Sequence, residues 1–267
     1  MKYRNDIDYF SVNGEILSIA SFPFDLAAQS GLVYEVFRIN NSVPLFLNEH
    51  LQRLKYSIII NSAVQIDVSN IKTYIRNIIS VNSIIEGNLK LVISVENNIT
   101  SAYLYFIPHR YPSSTQLENG VALILQKSMR KNPTAKISDW KIRGKANSII
   151  DNNKIYETAL VNDNGEITEG SRSNIFFIKN DILYTALDEY VLSGITRGKV
   201  IEAAQKMEIK IIYRNVKYTE LNKYDACFIS GSSPGVLQVK SIDNNYFSIN
   251  NSVYLNIRKL YEKMSEH

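Results

Sequence analysis

Apolar and polar positions along this chain follow two periods, and each change of period marks an element boundary. Residues 9–20 read as two short strands about Asn13-Gly14, a pair that accepts positive φ and so suits a tight hairpin. Val33-Tyr34-Glu35-Val36-Phe37-Arg38-Ile39 alternates as a strand, Asn40-Asn41-Ser42 turns, and Pro44-Leu45-Phe46-Leu47 returns as its partner. There the period lengthens. Asn48 predicts a helix N-cap, and Leu51, Leu54, Ile58 and Ile59 form the apolar stripe of the helix it opens. His50 and Arg53 stand at helical spacing and share a face. A second helix is predicted over 68–81, entered through Asp67-Val68-Ser69, with strands over 89–95 and 102–107.

Between 108 and 120 the composition shifts to Pro, Ser, Thr, Gln and Asn. This predicts a small α/β domain over 1–113, a linker over 114–119 and a larger domain over 120–267. In the second part, strands are expected over 121–126, 159–162, 175–179, 182–185, 210–213 and 227–229. Helices are expected over 142–153, despite Gly144, over 196–207 and over 253–264, with a glycine-containing turn over 230–235. Strands and helices alternate loosely, so α/β and α+β both remain open.

Composition narrows the class. The chain has 267 residues, 45% hydrophobic and 21% charged, which is enough to bury one large core or two moderate ones. Its net charge of +4 comes from 30 basic and 26 acidic residues without a run of like charge, so nucleic-acid binding is not suggested. The first residues carry Lys2, Arg4, Asp6 and Asp8 and lack a long apolar segment. No membrane span is expected, and a cytoplasmic protein is. Cys227 is the single cysteine, in the apolar run Ala226-Cys227-Phe228-Ile229, so a buried thiol is expected. With His50, His109 and His267 it gives no cluster at metal-ligand spacing, and no metal is expected.

Candidate chemistry lies between Arg130 and Asn174. A lysine that condenses with an aldehyde needs an accessible neutral amine, and a pyridine nitrogen on that aldehyde needs an acid to keep it protonated. Lys136, just after Asn132-Pro133, and Glu169, in Gly165-Glu166-Ile167-Thr168-Glu169-Gly170, are of the right types. The interval holds one loop, one helix and one strand, so both ends can return to one cavity. Alone, such a pair is a weak signal, because two solvated surface charges are the far commoner case.

Further phrases change the weighing. Tyr34-Glu35-Val36-Phe37-Arg38, Asn48-Glu49-His50-Leu51-Gln52-Arg53-Leu54, Lys136, Thr168-Glu169-Gly170-Ser171-Arg172-Ser173-Asn174, Ser193-Gly194-Ile195-Thr196-Arg197 and Phe228-Ile229-Ser230-Gly231-Ser232-Ser233 occur in that order. Together they resemble the fold-type IV pyridoxal-phosphate enzymes, a family that includes branched-chain and D-amino-acid aminotransferases and aminodeoxychorismate lyase. The resemblance spans nearly the whole chain. It implies a two-domain α+β fold with a small N-terminal α/β domain and a larger C-terminal pseudo-barrel domain, a homodimer, and pyridoxal 5′-phosphate as cofactor. It implies that Lys136 carries the cofactor as a Schiff base and moves the substrate proton, that Glu169 pairs with the pyridine nitrogen, and that Arg53 clamps the phosphate. Ile195 and Thr196 at a helix start, with Ser232 and Ser233 in a second turn, would complete the phosphate site.

The implied reaction is amino-group exchange between an amino acid and a 2-oxo acid, with pyruvate-releasing aminodeoxychorismate lyase chemistry as the alternative and a catalytically silent scaffold as a third. Lys131, Lys141 and Lys145 lie nearby, but counting back from Glu169 the family separation falls on Lys136. Two departures stand out. The segment Lys136-Ile137-Ser138-Asp139-Trp140 lacks the tyrosine that branched-chain enzymes place after the lysine, and Arg172 stands where small residues are frequent. For the substrate carboxylate, Tyr34, Arg38 and Arg172 are the candidates, with His109 and Arg110 next.

Overall fold

The computed structural model describes residues 7–61, 69–96, 99–109 and 111–266. The start of the expected 68–81 helix, Arg110 and His267 lie outside them. By its contacts the chain divides into two compact units, Met1–Arg110 with Ala135–Trp140, and Tyr111–Thr134 with Lys141–His267. The class is α+β, with one sheet in each unit.

In the first unit the elements are β1 (Tyr9–Val12), β2 (Glu15–Ser18), α1 (Phe24–Ala28), β3 (Val33–Asn40), β4 (Val43–Pro44), α2 (Leu47–Asn61), α3 (Ile71–Val81), β5 (Gly87–Glu96) and β6 (Ile99–Ile107). The six strands pair antiparallel in the order β2-β1-β6-β5-β3-β4. The expected hairpin forms, with Asn13 at φ 50° and Gly14 at φ 92°. Gly14 is needed twice over, because a Cβ there would also overlap the Tyr74 ring.

Alternation along β3 separates two cores. Val33, Phe37 and Ile39 pack with Leu51, Leu54 and Ile58 of α2 and with Ile71, Ile75 and Ile78 of α3. Tyr34 and Val36 pack on the other face with Phe10, Phe22, Val92 and Tyr105. Within the aromatic runs 34–37 and 103–106, Tyr34, Phe37, Tyr105 and Phe106 are all buried. Helix α2 begins one residue before the predicted cap. Asn48 lies inside it, and the turn into it is made by Phe46 at positive φ.

The second unit contains α4 (Ser114–Asn119), β7 (Val121–Lys127), α5 (Trp140–Asn153), β8 (Glu157–Val161), β9 (Glu166–Gly170), β10 (Asn174–Lys179), β11 (Ile182–Thr185), α6 (Ile195–Lys206), β12 (Ile211–Tyr213), β13 (Val216–Lys217), β14 (Ala226–Gly231), β15 (Gly235–Ile242), β16 (Asn245–Tyr246) and α7 (Ser252–Met264). Its sheet runs β12-β11-β10-β14-β15-β7-β8-β9-β13, with β16 on β15. The β15–β7, β7–β8 and β11–β12 pairs are parallel and the rest antiparallel.

The polar stretch 114–119, expected as a linker, forms the short helix α4, whose first backbone donors are satisfied by the reciprocal capping box of Ser113 and Gln116. The pattern after the 230–235 turn predicts no strand, yet Gly235–Ile242 is a central, nearly fully buried strand. Burial on both faces erases the alternation by which such a strand is recognised.

Candidate active site

In the first unit the site residues gather around one buried carboxylate. Glu35 takes a position on β3 whose neighbours on the same face, Val33 and Phe37, are core residues, and it is fully buried. Helix α2 lies against that face and presents His50 and Arg53 one turn apart. The Arg53 guanidinium donates from Nε to Glu35 Oε1 at 2.8 Å and from Nη2 to Oε2 at 2.6 Å, while His50 Nδ1 lies 2.7 Å from Oε2.

Burial by itself would raise the Glu35 pKa. The Arg53 charge and the hydrogen bonds from Arg53 and His50 outweigh it and hold the carboxyl at about 2. Burial lowers the His50 pKa, and the charges of Arg53 and Lys136 add to that against the opposing pull of Glu35. His50 is therefore neutral at pH 7. Since Glu35 is ionised, the proton of that imidazole sits on Nδ1 and is donated to the carboxylate.

Lys136 reaches this group through the backbone. Segment Ala135–Trp140 lies alongside the entry to β3: Tyr34 N–H donates to Lys136 O at 3.1 Å, Gly31 N–H to Ser138 O at 2.8 Å, and Ser138 N–H to Leu32 O at 2.9 Å. The Lys136 N–H is held by Ser57 Oγ of α2 at 3.0 Å. Its ammonium lies over the Tyr34 ring, 5.0 Å from the centroid, and Lys90 on β5 lies 5.1 Å from the same ring. Tyr34 is thus a buried aromatic ring close to two amines, with Arg38 half-buried further along β3. Trp140 is 36% exposed, and its backbone N–H is taken by Ser30 Oγ.

The second unit holds the other residues. Glu169 on β9 is buried, and both of its oxygens are engaged. Arg130 Nε donates to Oε1 at 2.6 Å and Arg130 Nη2 to Ser171 O at 2.8 Å, while the Leu192 N–H donates to Oε2 at 3.1 Å. Asn174 Nδ2 donates to Leu192 O at 2.9 Å. Glu169 and Asn174 therefore hold both backbone groups of Leu192 and shape the run into α6.

Gly194 caps that 12-residue helix with no side-chain hydrogen bond, and a Cβ on it would overlap Asn174 Oδ1. The first N–H groups of α6, from Ile195 and Thr196 onward, have no intrahelical acceptor and carry the positive end of the helix dipole. Ser232 and Ser233 form the turn from β14 to β15, half-buried, and the Ser230 hydroxyl just before them is buried without a hydrogen-bond partner among the described residues. A glycine cradle at a helix start, an orphaned hydroxyl beside a serine turn and a rigidly held carboxylate fit a ring that bears a phosphate and a basic nitrogen. Arg172 is exposed, and its guanidinium donates to Asn147 on α5.

Each unit therefore assembles its share of the expected residues: Lys136, Arg53, Tyr34 and Arg38 in the first, and Glu169, Ile195, Thr196, Ser232, Ser233 and Arg172 in the second. The sequence reading gave no role to Glu35, Arg130 or Asn174. Glu35 did leave a signal, an acid interrupting the apolar odd positions of a strand, which requires a buried cation. Arg130 left none, because it lies outside any element and its partner is 39 positions away on β9.

Residues 32–242 match the model of the family described as amino-transferase class IV. A probable branched-chain-amino-acid aminotransferase of Rickettsia conorii is 28% identical over 250 residues, covering 89% of this chain and 85% of the relative. A D-alanine aminotransferase of Bacillus licheniformis is 28% identical, covering 79% of this chain and 78% of the relative. Among solved structures, the PLP-bound form of a hypothetical aminotransferase from Mycobacterium tuberculosis superposes with a TM-score of 0.81 at 19% identity, over 96% of this chain and 98% of that one. With a family match over most of its length, the chain belongs to the class IV aminotransferases.

Proposed function

We propose that this protein exchanges an amino group between an amino acid and a 2-oxo acid with pyridoxal 5′-phosphate as cofactor. The observation that carries the reading is the placement of Lys136, whose ammonium is directed over an aromatic wall by a segment held through backbone hydrogen bonds. When bound, the cofactor supplies the electron sink for carbanion chemistry at the substrate α carbon.

The chain's own residues do the rest. Lys136 would hold the cofactor through its aldehyde carbon and move the proton at the substrate α carbon. The Tyr34 ring covers its amine on one side and limits water there. Glu169, held by Arg130 and the Leu192 N–H, would keep the proton on the pyridine nitrogen. Arg53, the α6 N-terminus at Ile195 and Thr196, and the Ser232-Ser233 turn bind the phosphate. Arg38 is the first candidate for the substrate carboxylate and Arg172 the second, since Arg172 is exposed and engaged with Asn147.

We also place the protein in the cytoplasm as a homodimer, with residues 1–113 as the small domain and 120–267 as the cofactor domain. Buried Cys227 suits a reducing compartment, and Tyr56, Ile59 and Ile60 give α2 an exposed apolar stretch for a second copy. Among the described residues no helix is long and apolar enough to cross a membrane. Light scattering on the purified protein tests the dimer.

The central test is the visible spectrum of the purified protein, followed by a panel of D- and L-amino acids with 2-oxoglutarate or pyruvate. A yellow band bleached by borohydride, with amino transfer to the oxo acid, supports the reading. Pyruvate release from 4-amino-4-deoxychorismate without any amino acceptor would select the lyase. A protein that takes up no pyridoxal phosphate would be a silent scaffold.

A further inference from the structure

We propose that Glu35 is a positioning residue for Arg53: by gripping the guanidinium through Nε and Nη2 it fixes the orientation in which Arg53 meets the cofactor phosphate. The inference rests on the reading of Arg53 as the phosphate partner.

Three observations carry it. The first is cost. A fully buried carboxylate on the core face of β3 loses its hydration, and an apolar residue between Val33 and Phe37 would pack there without that loss. The second is geometry. Arg53 donates to both oxygens of Glu35, at 2.8 and 2.6 Å, a fork-on-fork contact that leaves the guanidinium one plane, whereas an arginine on a helix surface samples many rotamers. The third is support behind the carboxylate. His50 Nδ1 reaches Oε2 at 2.7 Å, and β3 is paired with β5 from Val33 to Ile39, so neither the carboxylate nor the strand under it can turn freely. An arginine aimed in this way loses little conformational entropy when it takes up an anion. The same arginine without Glu35 must lose it on binding.

Two alternatives give different readouts. Were Glu35 only a neutralising charge, its removal would leave Arg53 more cationic and tighten phosphate binding. Were the pair only structural, its loss would weaken binding of any ring, with or without a phosphate. The experiment compares the parent, Glu35→Gln, Arg53→Ala and the double variant as apoproteins, titrated with pyridoxal 5′-phosphate and with pyridoxal, which lacks the phosphate.

Arg53→Ala is expected to weaken the phosphorylated cofactor by about ten- to a hundredfold and to leave pyridoxal unchanged. Glu35→Gln is expected to weaken the phosphorylated cofactor by about tenfold, to leave pyridoxal unchanged, and to add nothing in the Arg53→Ala background. If Arg53→Ala keeps the parental preference for the phosphorylated form, the phosphate reading of Arg53 fails and the inference falls with it. If Arg53→Ala loses that preference while Glu35→Gln keeps or strengthens it, the reading stands and the positioning role is overturned. Equal weakening of both ligands by Glu35→Gln also overturns it. Should Glu35→Gln not fold by circular dichroism, Glu35→Asp replaces it, keeping the charge and withdrawing it by one methylene, with the same outcomes.

Discussion

Arg130 Nε lies 2.6 Å from Glu169 Oε1, so the buried acid on β9 has a cationic partner that no local sequence pattern announces. The Glu169 side chain is 4% exposed and that of Arg130 16%, so solvent screens the pair little. Arg130→Met would leave the carboxylate with only the Leu192 N–H. We expect a loss of about 2–4 kcal/mol in urea unfolding, in line with breaking a buried pair. Glu169→Gln, which keeps the shape, should lower the catalytic rate more than cofactor affinity. In a double-mutant cycle on stability the two substitutions should be strongly non-additive, and additivity would mean that the contact carries no coupling.

Lys136→Ala should abolish the visible cofactor band and turnover while leaving the fold intact. The segment is held by the backbone groups of Gly31, Tyr34, Lys136 and Ser138 and by the Ser57 hydroxyl, none of which the substitution removes. Lys141→Ala is the control. Retained turnover in Lys136→Ala, with loss in Lys141→Ala, would move the assignment.

Two glycines of the same run should behave in opposite ways. At Gly194 a Cβ would overlap Asn174 Oδ1, so Gly194→Ala must displace Asn174 or the helix start, and cofactor affinity should fall at least several-fold. At Gly198 nothing lies within 4 Å of the added carbon, and alanine in a helix interior is better than glycine by roughly 0.5–1 kcal/mol. Gly198→Ala should therefore raise the melting temperature slightly at unchanged affinity. Equal effects of the two would show that the α6 entry has no special fit.

Acid should weaken the first unit in two overlapping stages. His50 has a folded pKa below its ordinary 6.5, so as pH falls below 6.5 the unfolded chain takes up a proton that the folded imidazole resists, and stability declines. Glu35 is held at about 2 against an ordinary 4.5. Its contribution, on the order of 3 kcal/mol, is complete above about pH 4.5 and is lost as pH falls through about 2. Urea midpoints measured against pH should flatten near 6.5 in His50→Gln and between 4.5 and 2 in Glu35→Gln. A parent whose stability does not change with acid would contradict both assignments.

Local patterning sufficed wherever a structure answers to near neighbours. The Asn13-Gly14 hairpin, the alternation along Val33–Asn40 and the stripe of Leu51, Leu54 and Ile58 are set by turn chemistry and by one face meeting a core, and all are legible in the sequence, whereas Ile59, expected in the same stripe, is exposed. The ordered phrases around Arg53, Lys136, Glu169, Thr196 and Ser232 likewise pointed to the class IV family that residues 32–242 match. What tertiary structure decided is of another kind. Strand Gly235–Ile242 is buried on both faces and so shows no period, and Arg130 finds Glu169 across a long stretch of chain. Lys136 follows the polar 108–120 stretch in the sequence, yet segment Ala135–Trp140 belongs by its contacts with the first unit, because its backbone hydrogen bonds go to residues 31–34 and to Ser57. Those bonds lie between main-chain groups and a serine hydroxyl, which carry no side-chain signature of their partner, so only the folded chain specifies them.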